Sequence, residues 1–339
     1  MLLNALLFAV GAVVIWFCGG RLPDVGKRLA DSLGVSATAL GLFVLSVITS
    51  LPELAVTLAA MLRENAPDLA LGNVLGSNNF NITSLAILEL MSAGVFIHGV
   101  DSGRYTRTCA LLLIMTALTG LGVVFGPFFT SVAASTLIFS LPVVGVFVFD
   151  SATHRRGRRM PGLPRTPVGE GELGKSVWSF SLLAAAVVAG GFAIARGANG
   201  IAAYEFTLGG EPLVLGQTFV GTLLVAVATS LPEVTVAFGA VRRTRSADIA
   251  LGTILGSNTV NILVFAIGAP MLAVVSDKSA WSGVSLSNLI SVMTALLFTA
   301  FVLVVMRRLE RAEGVGLAKF VNFLTVPLYL LCLFLVYRA

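Results

Sequence analysis

Two glutamates stand at matching positions of a five-residue motif that occurs twice in the chain. The first copy is Thr49-Ser50-Leu51-Pro52-Glu53, and Thr229-Ser230-Leu231-Pro232-Glu233 follows it 180 residues later. Both copies lie in strongly apolar stretches, where an ionisable side chain is costly and therefore indicates a function. Two such carboxylates at the same depth can share a cation and stay ionised, because a nearby positive charge favours the charged form.

The similarity between the two copies extends well beyond this motif. When residues 46–86 are set against residues 226–266 without a gap, 20 of the 41 pairs are identical. Apolar letters match by chance in a hydrophobic chain, but proline, glutamate, serine and asparagine in register do not. The chain therefore contains an internal repeat.

The two repeats supply every kind of oxygen ligand that a hard cation such as Ca²⁺ takes. The candidates are the carboxylates of Glu53 and Glu233, the carboxamides of Asn78, Asn81, Asn258 and Asn261, and the hydroxyls of Thr49, Ser50, Ser77, Thr229, Ser230 and Ser257. Ser77 and Asn81 are four residues apart, as are Ser257 and Asn261, so each pair lies on one helical face. Asn78 and Asn258 either contact the ion or brace the broken helices through backbone hydrogen bonds.

Three further carboxylates have simpler interpretations. Asp68 and Asp248 open predicted membrane spans, where a carboxylate caps a helix or meets the positive end of its dipole. Glu89 has no counterpart in the second repeat, where Ala269 stands. It fits a protonated or interfacial carboxylate better than a member of the cation site, and a role in a proton relay is the other option.

The composition is that of an integral membrane protein. Hydrophobic residues make up 57% of the chain, charged residues make up 12%, and the mean hydropathy is +0.95; a soluble chain of this length could not bury so much apolar surface. The three cysteines lie in apolar runs without the spacing of metal ligands.

Apolar runs of about 20 residues, the length that crosses a bilayer, occur ten times. They cover 2–20, 36–62, 69–97, 105–126, 129–149, 177–196, 213–241, 249–275, 286–306 and 317–337. The first run lacks the preceding basic residues of a signal peptide, so we expect a retained helix. The runs divide the chain into a first half, 1–150, and a second half, 177–339, with a basic linker at 151–176.

The basic residues predict the orientation of these spans. The loops on one side contain 18 of the 22 Lys and Arg residues, and by the positive-inside rule that side is cytoplasmic. It includes the linker, so five spans in each half place both termini outside. An odd number of spans per half also makes the two repeats inverted relative to one another. This placement of the basic residues explains the net charge of +5 without nucleic acid.

The prolines of the repeated motif predict interrupted helices. Pro52 and Pro232 each remove a backbone hydrogen bond, and broken polar segments at matching positions of two halves are typical of a secondary transporter with a site at the membrane midplane. The predicted fold is an all-α integral membrane protein. Its ten transmembrane helices form two inverted five-helix repeats, with broken helices two and seven packed against three and eight.

The doubled Thr-Ser-Leu-Pro-Glu and Gly-x-x-x-Gly-Ser-Asn-x-x-Asn segments resemble the alpha repeats of the cation/calcium antiporter superfamily, specifically its sodium/calcium exchanger branch. The resemblance is specific over both repeats, 46–86 and 226–266, and extends as architecture to all ten spans. It implies that the repeats form the ion sites and that Na⁺ is exchanged for Ca²⁺. It also implies central acidic ligands at Glu53 and Glu233, flanking hydroxyl ligands, and backbone carbonyl ligands at Ser46 and Ala226.

One position departs from that branch, which often has an Asp in one repeat and an Asn in the other. Here Asn81 and Asn261 are both Asn, so the site carries two formal negative charges, enough to neutralise one Ca²⁺. The alternative function is an H⁺-coupled antiporter of Ca²⁺ or another divalent cation, with Glu53 and Glu233 taking protons. The proton-coupled branch usually has Gly-Asn-Ala-x-Glu where this chain has Thr-Ser-Leu-Pro-Glu, which favours sodium.

Two other classes of function fit the sequence less well. An intramembrane enzyme is disfavoured, because His98 and His154 fall in predicted loops and leave Ser77 and Ser257 without an evident base. A non-transporting ion sensor or scaffold is disfavoured by the lack of a sizeable soluble domain. We expect Ca²⁺ and Na⁺ as transported substrates, no tightly bound cofactor, membrane lipids but no nucleic acid as partners, a location in the cell membrane, and a monomer.

Overall fold

The structure is a computed structural model that describes residues 1–22, 24–25, 28, 45–91, 102–129, 131–155, 170–208, 211–244, 247–309 and 315–339. These parts of the chain are predominantly helical. The helices are α1 (Leu2–Val14), α2 (Leu45–Thr49), α3 (Leu51–Leu62), α4 (Pro67–Met91), α5 (Ser102–Phe125), α6 (Val132–Arg155), α7 (Glu170–Ala202), α8 (Gln217–Val220), α9 (Ala226–Gly239), α10 (Ala247–Ser276), α11 (Asn288–Leu309) and α12 (Val315–Arg338). The π-helical turns Ile15–Gly19, Gly221–Val225 and Ala240–Thr244 continue α1, α8 and α9.

Eight helical segments of the described residues are long and apolar enough to cross a membrane. They are Leu2–Gly19, Tyr105–Phe128, Val132–Phe149, Leu173–Ala202, Gln217–Arg242, Ile249–Ser276, Asn288–Arg308 and Lys319–Arg338. Each coincides with one of the ten predicted spans, so these eight are confirmed and the chain is a multi-pass membrane protein. Predicted span 36–62 is described only from residue 45, where α2 and the 12-residue α3 fill its second half.

Helix α4 lies in the third predicted span, but it is not among the eight segments that are apolar enough to cross a membrane. Its 25 residues include four asparagines, and most of its side chains are buried. Polar groups at membrane depth need protein partners, so a helix of this composition is stable only when other helices surround it. Helices α3, α9, α10, α11 and α12 all pack against it. A polar helix thus forms the centre of the bundle.

Two glycines let α4 touch the backbone of the segment that leads into α9. A Cβ on Gly72 would lie 2.9 Å from the carbonyl oxygen of Thr218, and a Cβ on Gly76 would overlap the backbone of Thr222. Thr222 lies in the π-helical turn that precedes α9. Because side chains are missing where the two segments cross, the repeats come close enough for short polar side chains to meet between them.

The two proline-containing helices differ from one another. In the first repeat a turn at Ser50 separates α2 from α3, so Pro52 lies in the first turn of a new helix, where proline is tolerated. In the second repeat α9 runs through Pro232 without interruption, so the predicted break of the seventh helix at its proline is wrong. There the proline removes only the hydrogen bond to the carbonyl of Ala228, and the helix continues. Both segments pack against α4 and α10, as predicted.

A short β-hairpin precedes α8 and corrects the all-α prediction. Strands β1 (Glu205–Leu208) and β2 (Glu211–Val214) pair in antiparallel fashion. The sequence joins them through Gly209 and Gly210, a pair that favours the tight turn of a hairpin. The helix of the predicted span 213–241 therefore begins at Gln217, four residues after the predicted start.

The predicted linker 151–176 is helical at both of its ends. Helix α6 reaches Arg155 and helix α7 begins at Glu170. The prediction ended these helices where the hydropathy drops, but both helices continue beyond that point into polar residues. Residues 156–169, which hold much of the basic sequence, lie outside the described part.

Asp68 lies in the first turn of α4, where the helix dipole favours a carboxylate, as predicted. Its Oδ2 accepts a hydrogen bond from the Thr218 hydroxyl (2.5 Å), and its Oδ1 accepts bonds from the Ser285 backbone N–H (2.7 Å) and Asn288 Nδ2 (2.6 Å). These bonds hold the start of α4 against α8, the loop before α11 and the first residue of α11. The side chain of Asp248, its counterpart, lies outside the described residues.

Replacing Gly76 by alanine should lower the melting temperature of the detergent-solubilised protein, measured by circular dichroism. The added Cβ would lie 2.6 Å from Thr222 Cα and 2.8 Å from Ala226 Cβ, and overpacking of this kind costs about 1–3 kcal/mol. Gly145→Ala is the matched control, because a Cβ there meets nothing within 4 Å. An equal melting temperature for the Gly76 variant and the wild type would contradict the close contact.

Candidate functional site

The twelve residues predicted as ligands come together between segments α2–α4 and α9–α10, and every one is at most 1% exposed. They are Ser46, Thr49, Ser50, Glu53, Ser77, Asn81, Ala226, Thr229, Ser230, Glu233, Ser257 and Asn261. All but Ala226 are polar, so their burial is explained by the hydrogen bonds that they make across the interface of the two repeats.

The two carboxylates are each held by a serine of the opposite repeat. The Ser230 hydroxyl donates to Glu53 Oε1 (2.9 Å), and the Ser50 hydroxyl donates to Glu233 Oε1 (3.4 Å). The two bonds are the same contact with the repeats exchanged. They place Glu53 and Glu233 in one polar core, as the sequence predicts, rather than on separate faces of the bundle.

A layer of threonine and serine hydroxyls lies beside the carboxylates. Thr49 Oγ1 is 3.1 Å from Ser257 Oγ, and Thr229 Oγ1 is 3.4 Å from Ser77 Oγ. Each threonine hydroxyl can also donate to the carbonyl oxygen one turn earlier: Thr49 to that of Ser46 (3.1 Å), and Thr229 to that of Ala226 (3.3 Å). The carbonyls that the family resemblance selects therefore lie beside the hydroxyls that the repeat selects.

Asparagines form the third layer, and they join α4 to α10. Asn78 Nδ2 donates to the backbone carbonyl of Asn258, and Asn258 Nδ2 donates to that of Asn78, both at 3.1 Å. Asn81 Nδ2 donates to Asn258 Oδ1 (3.0 Å), and Asn261 Nδ2 donates to Asn78 Oδ1 (3.1 Å). Asn78 and Asn258 thus brace α4 against α10, not the proline-containing helices that the sequence prediction named.

Four buried oxygens of this cluster have no hydrogen-bond partner in the described part of the chain. They are Glu53 Oε2, Glu233 Oε2, Asn81 Oδ1 and Asn261 Oδ1. They form two pairs related by exchange of the repeats. A buried acceptor left without a donor is costly, and a bound cation in this cluster would satisfy these oxygens. Carboxylate and carboxamide oxygens suit the hard cations Ca²⁺, Mg²⁺ and Na⁺.

The sequence prediction missed Asn73 and Thr57. Asn73 Nδ2 donates to Thr57 Oγ1 (3.1 Å), and Asn73 Oδ1 accepts from the Thr229 hydroxyl (3.2 Å). Asn73 lies four residues before Ser77, on the polar face of α4, so helical spacing could have found it. It was passed over because the comparison of the repeats kept identical pairs, and the counterpart of Asn73 is Thr253.

The end of α1 lies against the two prolines of the repeated motif. A Cβ on Gly19 would lie 3.1 Å from Pro232 Cγ and 3.5 Å from Pro52 Cγ, so the π-helical turn of α1 covers both prolines.

Glu89 is buried further along α4 and lines a separate cavity of about 50 Å³ between α4, α11 and α12, together with Asn322. As the sequence suggests, it is not a member of the central cluster.

Comparisons with known proteins agree with this architecture. The family model described as Sodium/calcium exchanger protein matches residues 3–149 and 175–338. The inner membrane protein YrbG of Escherichia coli is 31% identical over 301 residues, which cover 88% of this chain and 89% of YrbG. The sodium/calcium exchanger MaX1 of Methanosarcina acetivorans is 26% identical in a gapped alignment 368 positions long, which covers 96% of this chain and 99% of MaX1. The solved structure of the sodium-calcium exchanger NCX_Mj has the same fold, with a TM-score of 0.58 at 20% identity and 97% of each chain covered.

Asn78→Ala and Asn258→Ala should destabilise the detergent-solubilised protein by similar amounts. Each change removes the carboxamide bond to a helical carbonyl of the opposite repeat. It also leaves one carboxamide N–H there, of Asn261 or Asn81, without its acceptor, at a cost of about 1–3 kcal/mol. Asn322→Ala, which removes a half-buried carboxamide outside the brace, is the control and should have a smaller effect. A lowered melting temperature in only one of the two brace variants would contradict the reciprocal arrangement.

Proposed function

Because the chain belongs to the sodium/calcium exchanger protein family, we propose that it is a secondary-active antiporter that exchanges Na⁺ for Ca²⁺ between its two repeats. Membership of this family makes the chain a membrane antiporter of cations rather than an enzyme. The choice of Na⁺ and Ca²⁺ is supported by the related exchanger MaX1 and by the oxygen-only donor set of the buried cluster.

The observation that carries the proposal is the set of four buried oxygens that lack hydrogen-bond donors in the described residues. Two are carboxylate oxygens, of Glu53 and Glu233, and two are carboxamide oxygens, of Asn81 and Asn261. An ionised carboxylate held away from water is very costly without a compensating charge. One Ca²⁺ neutralises both carboxylates and is coordinated by oxygens of these types.

The remaining ligands are assigned on the same basis. Hydroxyl ligands come from both repeats, and backbone carbonyl ligands come from the residues one turn before each threonine. The proposed set consists of Glu53, Glu233, Thr49, Thr229, Ser50, Ser230, Ser77, Ser257, Asn81 and Asn261, with the carbonyls of Ser46 and Ala226. Each member has its counterpart 180 residues away, so successive cations meet equivalent ligands from either side.

The proposed architecture places this site at the middle of the membrane. Ten helices form two inverted five-helix repeats, 1–150 and 177–339, with both termini outside and the basic linker in the cytoplasm. The reciprocal hydrogen bonds between the repeats support a two-fold relation, and the 18 basic residues on one side support the orientation. Inverted repeats around one midplane site allow alternating access, because each repeat can open the path to one side.

The charge of the site favours one second candidate, H⁺-coupled exchange of Ca²⁺. Because Asn81 and Asn261 are neutral, Glu53 and Glu233 provide two negative charges. Two protons neutralise them as completely as one Ca²⁺ does, whereas three Na⁺ leave one positive charge in excess. The Thr-Ser-Leu-Pro-Glu motif favours sodium. The ion whose gradient drives Ca²⁺ transport, Na⁺ or H⁺, distinguishes the two couplings.

Purified protein in liposomes should take up radiolabelled Ca²⁺ when Na⁺ is loaded inside and the pH is equal on both sides. Glu53→Gln and Glu233→Gln should each reduce this uptake by more than about tenfold, because buried charges that bind an ion contribute several kcal/mol. Glu64→Gln is the matched control, since the Glu64 side chain is only 9% exposed but lies outside the site, where it pairs with Arg196 at 3.0 Å.

A pH gradient imposed in the absence of Na⁺ provides the second arm of the experiment. Uptake driven by that gradient alone would overturn the sodium proposal in favour of the proton-coupled candidate. Uptake that is unchanged in both glutamine variants would overturn the site itself. Wild-type vesicles without Na⁺ or pH gradients provide the baseline for both arms.

A further inference from the structure

Most hydrogen bonds of the site come in pairs that exchange the two repeats. Two departures are the bond from the Ser46 hydroxyl to the Gly252 carbonyl (3.3 Å), which Ala226 cannot form, and the bonds of Asn73. A chain of bonds runs from Thr229 to Asn73 (3.2 Å) and from Asn73 to Thr57 (3.1 Å). All three side chains are fully buried. The carboxamide of Asn73 is held from both sides, since Thr57 accepts from its Nδ2 and Thr229 donates to its Oδ1. Its oxygen is therefore fixed beside the Thr229 hydroxyl.

The other repeat has nothing equivalent beside Thr49. The positions 180 residues after Asn73 and Thr57 are Thr253 and Ala237. Thr253 is fully buried, and its hydroxyl has no hydrogen-bond partner among the residues that the structure describes. The Thr49 hydroxyl is instead close to the Ser46 carbonyl and the Ser257 hydroxyl, both at 3.1 Å.

This difference determines which acceptor each threonine hydroxyl can donate its hydrogen bond to. A hydroxyl coordinates a cation through an oxygen lone pair, and its single O–H must then point to another acceptor. Thr229 has such an acceptor in Asn73 Oδ1, which is not one of the proposed ligands, so the Ala226 carbonyl stays available to the cation. Among the residues that the structure describes, the Thr49 hydroxyl has acceptors only in Ser46 and Ser257, and both are proposed ligands. A proton donated to either one competes with the cation there.

We propose that Asn73 is a positioning residue that makes the Ala226–Thr229–Ser77 half of the site the stronger half for Na⁺. This inference rests on the proposed Na⁺/Ca²⁺ exchange. The half consists of neutral hydroxyl and carbonyl oxygens, which suit a monovalent ion, whereas Ca²⁺ needs both Glu53 and Glu233 for charge balance. Asn73 therefore acts on the affinity for the driving ion and much less on the affinity for Ca²⁺.

Asn73→Thr tests the proposal, because it gives α4 the residue that α10 has at the equivalent position. The half-saturating Na⁺ concentration for exchange in liposomes should rise about three- to tenfold, the effect of losing one neutral hydrogen bond. The half-saturating Ca²⁺ concentration should change by less than about twofold, since Asn73 contacts neither carboxylate in the structure. A role in folding alone would alter the two values together or leave both unchanged.

Two further variants keep the test decisive even where Asn73→Thr folds poorly. Thr57→Val preserves the shape of the side chain but removes the acceptor for Asn73 Nδ2, so it should raise the half-saturating Na⁺ concentration in the same direction. Thr253→Val is the matched control in the other repeat, and it should leave both concentrations unchanged, since its hydroxyl has no partner in the described chain.

The outcomes separate this inference from the function on which it rests. Wild-type vesicles without Na⁺-driven Ca²⁺ uptake would overturn the proposed exchange. Wild-type vesicles with such uptake, combined with equal Na⁺ dependence in wild type, Asn73→Thr and Thr57→Val, would overturn only the role of Asn73. An equal shift for Na⁺ and Ca²⁺ would also overturn it, as would a Thr253→Val variant that behaves like Asn73→Thr.

Discussion

A carboxylate that is buried in a membrane protein needs polar partners, and both site glutamates of this protein find one in the opposite repeat. The Ser230 hydroxyl donates to Glu53, and the Ser50 hydroxyl donates to Glu233. Each repeat therefore supplies a hydrogen-bond donor to the carboxyl group of the other. This mutual dependence holds α3 and α9 together inside the bundle, whereas the apolar helices α1, α6 and α7 have mostly exposed surfaces.

Close contact between backbones makes this exchange of hydrogen bonds possible. Serine, threonine and asparagine have short side chains, so they can bond across an interface only when the helices nearly touch. Gly72 and Gly76 provide that approach on α4, next to the π-helical turn Gly221–Val225. The hydroxyl hydrogen bonds between the repeats thus depend on the close backbone contact that the glycines allow.

The sequence predicted the polar cluster well and the backbone around it less well. Residues such as Glu53 and Asn261 were found because two copies of one segment match in register, which selects the groups that face each other. Asn73 was missed because that test rewards identity, whereas Asn73 stands at a position where the two repeats differ. The same five letters also gave a turn at Ser50 and an unbroken helix through Pro232, because the surrounding packing, rather than the motif, decides whether a proline ends a helix.

The reciprocal bonds of Asn78 and Asn258 have a consequence for biosynthesis. Their backbone and side-chain groups are satisfied by partners 180 residues away. At a synthesis rate of roughly 5–20 residues per second, the second partner leaves the ribosome about 10–40 s after the first. During that interval the newly inserted first half holds a polar helix at membrane depth without its final neighbours. The nascent chain must therefore be shielded, by the insertion machinery or by water, until its second half arrives.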